Sequence, residues 1–278
     1  MSAAPMTIDG NAARWGTPLG KGLQASDSLW SGLTDSHTGT PMGVTAENLA
    51  KKHGITREQC DEFAVRSQVQ WGKAKDAGVF EAEMAPIEVK TRKGMVTIID
   101  DEHPKPSTTV EQISKLRPVF DKEGVVTAAG ASGICDGAGT IILASEAAVK
   151  EHGLKPLCKL TAWNSVGCEP TEMGIGPVPA IQNALKIAGK TLDEVDRVEI
   201  NEAFAAQFLS CAKELGLDMD KTNINGGAIS IGHPLGASGS RIVAHLANEF
   251  ERNQDMNVAV GSACIGGGQG IAVVLERV

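Results

Sequence analysis

Over the second half of the chain, apolar residues fall into short runs that alternate between strand and helix periods. Lys159 to Val166 reads as a strand, and Pro177 to Ala188 as a helix. That helix has prolines in its first turn and turns Ala180, Ile181, Ala184, Leu185 and Ala188 inward. Arg197 to Ile200 is a short strand and Glu202 to Leu215 a helix. A strand near Thr222 to Asn225, a Gly-rich loop and a helix from Gly236 to Arg252 follow. Val258 to Cys264 and Gly270 to Leu275, joined by glycines, predict a closing β-hairpin. The resulting β-α-β-α-β-α-β-β order implies an α/β layered fold, a mixed β-sheet flanked by helices.

The first part of the chain lacks this regularity. It is polar, punctuated by Gly and Pro, and carries two helical stretches. The first is expected to start at Thr45 as N-cap and stop near Gly54. The second opens on Thr56-Arg-Glu-Gln59, a capping-box pattern, and stacks Phe63, Ser67, Trp71 and Ala74 on one face, a core stripe by its helical period. One internal similarity organises the whole. Val125 to Leu143 and Val258 to Leu275 share a strand, Gly-rich turn, apolar strand form, and so read as closing hairpins of two duplicated halves. The expected division is a loop or lid domain over 1–122, the hairpin and helix of a first half over 123–155, and a complete second half over 156–278.

Composition narrows the function. The 278 residues are 42% hydrophobic, enough for a real core. A net charge of −8 and a pI near 5.3 give little attraction for nucleic acid or anionic membrane surfaces. No stretch is suited to span a membrane, and no targeting segment is visible in the first twenty residues. The six cysteines, Cys60, Cys135, Cys158, Cys168, Cys211 and Cys264, form no C-x-x-C pair and read as reduced thiols of an intracellular compartment.

Three clusters at predicted strand ends carry the candidate chemistry: Asn201-Glu-Ala-Phe-Ala205, the Gly226 to Gly239 block with its Gly232-His-Pro-Leu-Gly236 core, and Cys264-Ile-Gly-Gly-Gly-Gln-Gly270. In α/β sheets, loops converge at strand ends, and glycines let backbone amides approach a ligand. Taken singly, a buried Cys is a small apolar residue, a His a hydrogen-bonded structural one, and an Asn a cap. Jointly, a His-Pro within dense glycines and a Cys followed by three glycines are costly choices for packing alone.

In this order and spacing the three blocks resemble the thiolases, and the resemblance runs over essentially the whole chain. Met173-Gly-Ile-Gly-Pro-Val-Pro179 and Thr45-Ala-Glu-Asn-Leu-Ala50 are most similar to the mitochondrial 3-ketoacyl-CoA branch of that family. The resemblance implies an acyltransferase that cleaves or forms 3-ketoacyl-CoA. Coenzyme A and acyl-CoA are its substrates, with no tightly bound cofactor and no metal. It implies a homo-oligomer, dimer or tetramer, or pairing with a full-length thiolase chain, in the mitochondrial matrix. Cys264 matches the acid/base cysteine, and a thiol of ordinary pKa ~8.5, modestly tuned, can serve in both directions. His233 matches the histidine that activates the nucleophile and contacts the thioester oxygen, Asn201 the side chain that completes its oxyanion hole, and Gly266 an N–H of the second hole. Ser132 and Ala128 match positions on the pantetheine arm, Leu116 one near the adenine, and Met173 and Phe204 pocket-lining positions. Ala129-Gly130 departs from the family's Gly-Asn at the pantetheine turn.

The family's nucleophilic cysteine belongs to a Cys-Gly-Ser-Gly-type block upstream of the Met-Ser-x-x-Pro phrase, which here is Met1 to Pro5. None of the six cysteines has that setting. The expectation is therefore a chain lacking the part that holds the nucleophile, inactive alone, with Asn201, His233 and Cys264 converging at one face of the C-terminal sheet. The alternative is a non-catalytic thiolase-like protein that binds CoA or a partner. A second His in place of Asn201, a G-x-S-x-G elbow, a P-loop and a G-x-G-x-x-G turn are all missing, which argues against other enzyme classes.

Overall fold

A computed structural model describes residues 1–278. The first part holds β1 (Met6–Ile8), α1 (Gly10–Trp15), β2 (Ala25–Asp27), α2 (Ser28–Gly32), α3 (Met42–His53), α4 (Arg57–Asp76), β3 (Ile87–Thr91), β4 (Gly94–Ile98) and α5 (Val110–Ile113). After α6 (Glu146–His152) come β5 (Lys159–Gly167), α7 (Pro177–Ala188), β6 (Arg197–Ile200), α8 (Ala205–Leu215), α9 (Ala228–Ile231), α10 (Ser238–Arg252), β7 (Val258–Ile265) and β8 (Gln269–Glu276). The α/β layering is as expected, and the ends of α7 and β6 match residue for residue.

The sheet runs β5-β8-β7-β6, with β6 and β7 parallel and β8 antiparallel to both β5 and β7. Strands β5, β6 and β7 therefore end on one edge. Alternation of side chains separates two faces. Ala162, Val198, Ile200, Val258, Val260, Ala272 and Val274 pack with α3, α4, α7 and α8 in the larger core. Ala259 and Leu275 face the other way, onto Ile242, Leu246 and Phe250 of α10.

Helix α4 starts as its sequence demands. Thr56 Oγ1 accepts from Gln59 N–H at 3.2 Å, and Gln59 Oε1 accepts from Thr56 N–H at 2.9 Å. Its Phe63 stacks on Phe208 of α8 with ring centroids 4.2 Å apart, and Ser67, Trp71 and Ala74 are buried on the same face.

Several expectations are corrected. Helix α3 begins at Met42 after Pro41, so Thr45 lies within its first turn, where its hydroxyl donates to the Met42 carbonyl at 2.6 Å instead of capping the helix. Helices α8 and α10 start at Ala205 and Ser238, later than Glu202 and Gly236. The strand expected near Thr222 to Asn225 reduces to one parallel bridge, Thr222 with Val198. The hairpin expected over Val125 to Leu143 does not form. Its backbone groups bond elsewhere: Gly130 accepts from Ala205 N–H at 2.7 Å, Ser132 donates to Ala203 at 3.0 Å and Gly133 accepts from His233 at 2.8 Å. The segment crosses the loops of the C-terminal half without regular secondary structure, and Ile142 and Leu143 stay exposed. Of that region only the helix, α6, forms as expected. The first 122 residues are also less irregular than their composition implies, since β1 pairs antiparallel with β2 across the α1 connection and β3 with β4 in a hairpin.

Candidate active site

Asn201 directly follows β6, and its N–H donates to the Ser262 carbonyl of β7 at 2.9 Å. With Ile200 paired to Ser262 in parallel register, Asn201 and Cys264 close the same edge of the sheet. The Asn201 side chain is fully buried, with Nδ2 lying 3.2 Å from His233 Nε2. On the other side of the ring, His233 Nδ1 lies 2.6 Å from Ser238 Oγ, which donates to the Pro234 carbonyl at 3.3 Å. The amide nitrogen faces Nε2, an arrangement that pairs with a ring proton on Nδ1, toward Ser238. Burial, aided by nearby Arg241, pushes the His233 pKa down to about 4, so the ring is neutral at pH 7. Asn201 Oδ1 is buried without a protein donor and remains an unused acceptor.

Cys264 occupies the penultimate position of β7, half-buried, opposite Gly270. Burial pushes its pKa up to about 12, and neighbouring Cys168 acts in the same direction. That is well above the modestly tuned thiol expected from sequence, because no cation stands among the groups acting on it. The turn that follows is formed by Gly266, Gly267 and Gly268, the last two with φ of 83° and 77°. Gly266 is exposed there, with Met42 Cε 3.9 Å from where a side-chain methyl would sit.

The other candidates divide. Ser132 donates both its N–H and its hydroxyl to the Ala203 carbonyl at 3.0 Å, and the adjacent Ala131 bridges Phe204, so both residues border the loop that carries Asn201. Phe204 meets Phe120 edge-on at 6.5 Å. Ala128 is exposed on the same crossing segment. Leu116, 38% exposed, lies beyond α5, where Arg57 of α4 donates to its carbonyl at 2.9 Å. Met173 is buried, at 5% exposure. Two surface hollows beside Trp71, Lys75, Asp100 and Asp101 are lined by none of these residues. No group of three His, Cys, Asp or Glu side chains is arranged to hold a metal ion, and no helix is long and apolar enough to cross a membrane.

Sequence reasoning did not single out Ser238 or Glu202, although both lie within the blocks it quoted. Ser238 is five residues beyond His233, across the Pro234 turn, a separation with no helical or strand period to mark it. The glutamate after Asn201 gave no sign that it would be fully buried.

All six cysteines are free thiols, and every one of them is shifted upward by burial: Cys60 and Cys264 to about 12, Cys158 to about 11, and Cys135, Cys168 and Cys211 in the same direction. None is poised as a thiolate.

Two family models match the chain, the thiolase N-terminal domain over residues 1–147 and the thiolase C-terminal domain over residues 154–277. The mitochondrial 3-ketoacyl-CoA thiolase of Bos taurus is 58% identical over 277 residues, which are 100% of this chain and 69% of that protein. The acetyl-CoA acetyltransferase of Escherichia coli (strain K12) is 48% identical over 100% of this chain and 70% of its own length. A crystal structure of human mitochondrial 3-ketoacyl-CoA thiolase superposes with a TM-score of 0.96 at 56% identity, over 100% of this chain and 69% of that one. The same human protein in complex with CoA gives 0.94 at 55%, over 100% and 68%.

Proposed function

The chain belongs to the thiolase family, and from that premise we propose that its site performs the acid-base and thioester-oxygen part of CoA-dependent cleavage or formation of 3-ketoacyl-CoA, as in fatty acid β-oxidation. The observation that carries this reading is the contact between Asn201 Nδ2 and His233 Nε2 at 3.2 Å, on the sheet edge that Cys264 also closes.

The chemistry follows from the two neutral groups. A ring whose proton is on Nδ1 takes a proton at Nε2, which suits a base that relieves an attacking thiol. A half-buried thiol with its pKa near 12 is protonated at rest, so Cys264 is set to give its proton to the departing enolate carbon. In the reverse direction Cys264 first gives its proton to the departing CoA sulfur and then, as the thiolate, takes one from the α-carbon of acetyl-CoA, the charge passing to the enolate oxygen. Amides at the Gly266 turn and the Asn201 side chain supply donors for the two oxyanions. Ser132, Ala128 and Leu116 hold the pantetheine and adenine of CoA, with Met173 and Phe204 closing the acyl side. CoA is substrate rather than resident cofactor.

None of the six cysteines stands in a Cys-Gly-Ser-Gly-type block, so by the resemblance the acyl-accepting cysteine comes from outside these residues, and the chain alone does not turn over. A covalent acyl-cysteine divides the carbon-carbon cleavage into two accessible steps, and without it Cys264 has no intermediate to act on. By the same resemblance the chain works in the mitochondrial matrix, as a homo-oligomer or with a full-length thiolase chain. A purely CoA-binding protein is the alternative, and the intact Asn201–His233 pair favours the catalytic reading.

The test measures acetoacetyl-CoA consumption with CoA by the purified chain beside a Cys264→Ala variant, together with CoA binding by calorimetry. CoA binding without turnover above the variant is expected. Turnover abolished by Cys264→Ala would place the nucleophile among the other five cysteines, and absence of CoA binding at millimolar concentration would remove the CoA-site assignment.

A further inference from the structure

Glu202 is fully buried and sits next to Asn201. Its Oε1 accepts from Asn223 Nδ2 at 3.0 Å, and its Oε2 accepts from Ser67 Oγ at 2.6 Å and from Ile229 N–H at 3.2 Å. These donors come from three separate places: the loop beside β6, the lid-side helix α4, and the short α9 that runs through Gly232 directly into His233. Gly227, at the entry to α9, has Glu202 where a side chain would begin, so the carboxyl presses directly on that backbone. Ser67 Oγ also accepts from Gly227 N–H at 3.2 Å, which closes the link between α4 and the same segment.

We propose, building on the functional reading above, that Glu202 is the positioning residue that holds Asn201 and His233 in register, by latching helix α4, the end of β6 and the α9 segment onto one carboxyl group.

The requirement is for acceptors on both oxygens. Asn223 cannot turn its amide round, because its Oδ1 accepts from Ile200 N–H at 2.9 Å and its Nδ2 donates to the Ile200 carbonyl at 2.8 Å. The Ile229 donor is backbone and cannot turn either. Glutamine at position 202 therefore points its NH₂ at a fixed donor whichever way it is placed, and one side of the latch opens. Glu202 reaches the chemistry only through Asn201 and through the four-residue path from Ile229 to His233, so its signature belongs in the His233 ring.

The experiment uses the full chain labelled with ¹⁵N-histidine, with the His233 resonances identified by their loss in His233→Gln. Wild type is expected to show a single Nδ1–H tautomer that resists protonation until about pH 4. In Glu202→Gln the tautomers are expected to mix and the midpoint to rise by about one pH unit as water reaches the ring. A folded Glu202→Gln protein with the wild-type tautomer and midpoint overturns the proposal. Where that variant does not fold, Ser67→Ala decides, since it keeps the carboxyl and two of its donors: a raised His233 midpoint supports the latch and an unmoved one overturns it. Ile181→Val, a core change in α7 outside this network, is the control. An equal His233 change there would reduce the effect to general loosening and overturn the proposal as well. Turnover is not the readout, so failure of the acyltransfer reading leaves this measurement intact.

Discussion

At His233 the fold suppresses a charge, and the consequence is measurable without substrate. The folded ring has a pKa of about 4 against the ordinary 6.5, so the unfolded chain binds its proton first as pH falls. The stabilisation linked to this residue is complete above pH 6.5 and is lost as pH drops through 6.5 toward 4. Its ceiling is roughly 3 kcal/mol, since a tenfold difference in proton affinity between the folded and unfolded ring corresponds to about 1.4 kcal/mol. Many carboxylates titrate in the same range, so the quantity to measure is a difference. Urea unfolding of wild type and His233→Gln at a series of pH values should give curves that converge as pH falls from 6.5 to 4. Parallel curves would mean that His233 is solvated and titrates normally. Cys264 has the opposite sign, since a thiol raised to about 12 loses stability only as the unfolded chain ionises above pH 9. Neither perturbation was visible in the sequence, because both follow from burial without a nearby countercharge, a property of the packed site and not of any motif.

The element that departs most instructively from its sequence pattern is the stretch after α8. Thr222, Asn223 and Ile224 alternate as a strand should, yet Asn223 has φ of 45° and the chain turns away after one bridge. In place of a ladder, the Asn223 side chain bonds both the N–H and the carbonyl of Ile200, and so serves β6 as a substitute neighbour on its outer edge. Arg66 of α4 holds the turn by donating to the carbonyls of Met219, Thr222 and Asn223. Asn223→Ala should therefore cost about 2–4 kcal/mol in urea unfolding, since it strands two buried backbone groups and leaves alanine in a left-handed conformation. A cost below about 0.5 kcal/mol would mean that β6 does not depend on this side chain. Asn223→Gly, which relieves only the backbone, should recover the smaller part. The same contrast between local and distant partners explains what was legible. Helices α4 and α7 announce themselves through local signals, a capping box and N-terminal prolines, and β5, β7 and β8 through apolar runs bounded by glycine. The segment Val125 to Leu143 carries equally strong local signals but lacks a sheet to join, and pairing is a long-range property. Likewise the blocks holding Asn201, His233 and Cys264 were legible as motifs, whereas the Glu202 and Ser238 contacts that orient them were not.

At the scale of the whole molecule, the two faces of the sheet are unequally covered. Helix α10 lies over the β6 and β7 side of the second face, through Ala259 and Leu275. Farther across that face the register aligns Trp163 with Val273 and Ser165 with Ile271, and here Trp163 is 63% exposed and Ile271 38% exposed. Leu160 and Ile265 are each 37% exposed, and Ile142 and Leu143 on the unpaired crossing segment are more open still. Several large apolar side chains exposed on one sheet face are uncommon on a protein that stays monomeric. The β5 edge beside it also offers unpaired backbone groups, which adds a second route to association. The chain should therefore self-associate with rising concentration when purified alone, and multi-angle light scattering should record a mass that grows with loading. Trp163→Thr removes the largest exposed side chain of the patch while keeping a β-former, so it should shift that curve to higher concentration without lowering the unfolding midpoint. A wild-type chain that remains monomeric throughout would show the face to be tolerated by solvent. Self-association unchanged by Trp163→Thr would move the contact elsewhere, to the apolar residues of the β1–β2 or β3–β4 strand pairs.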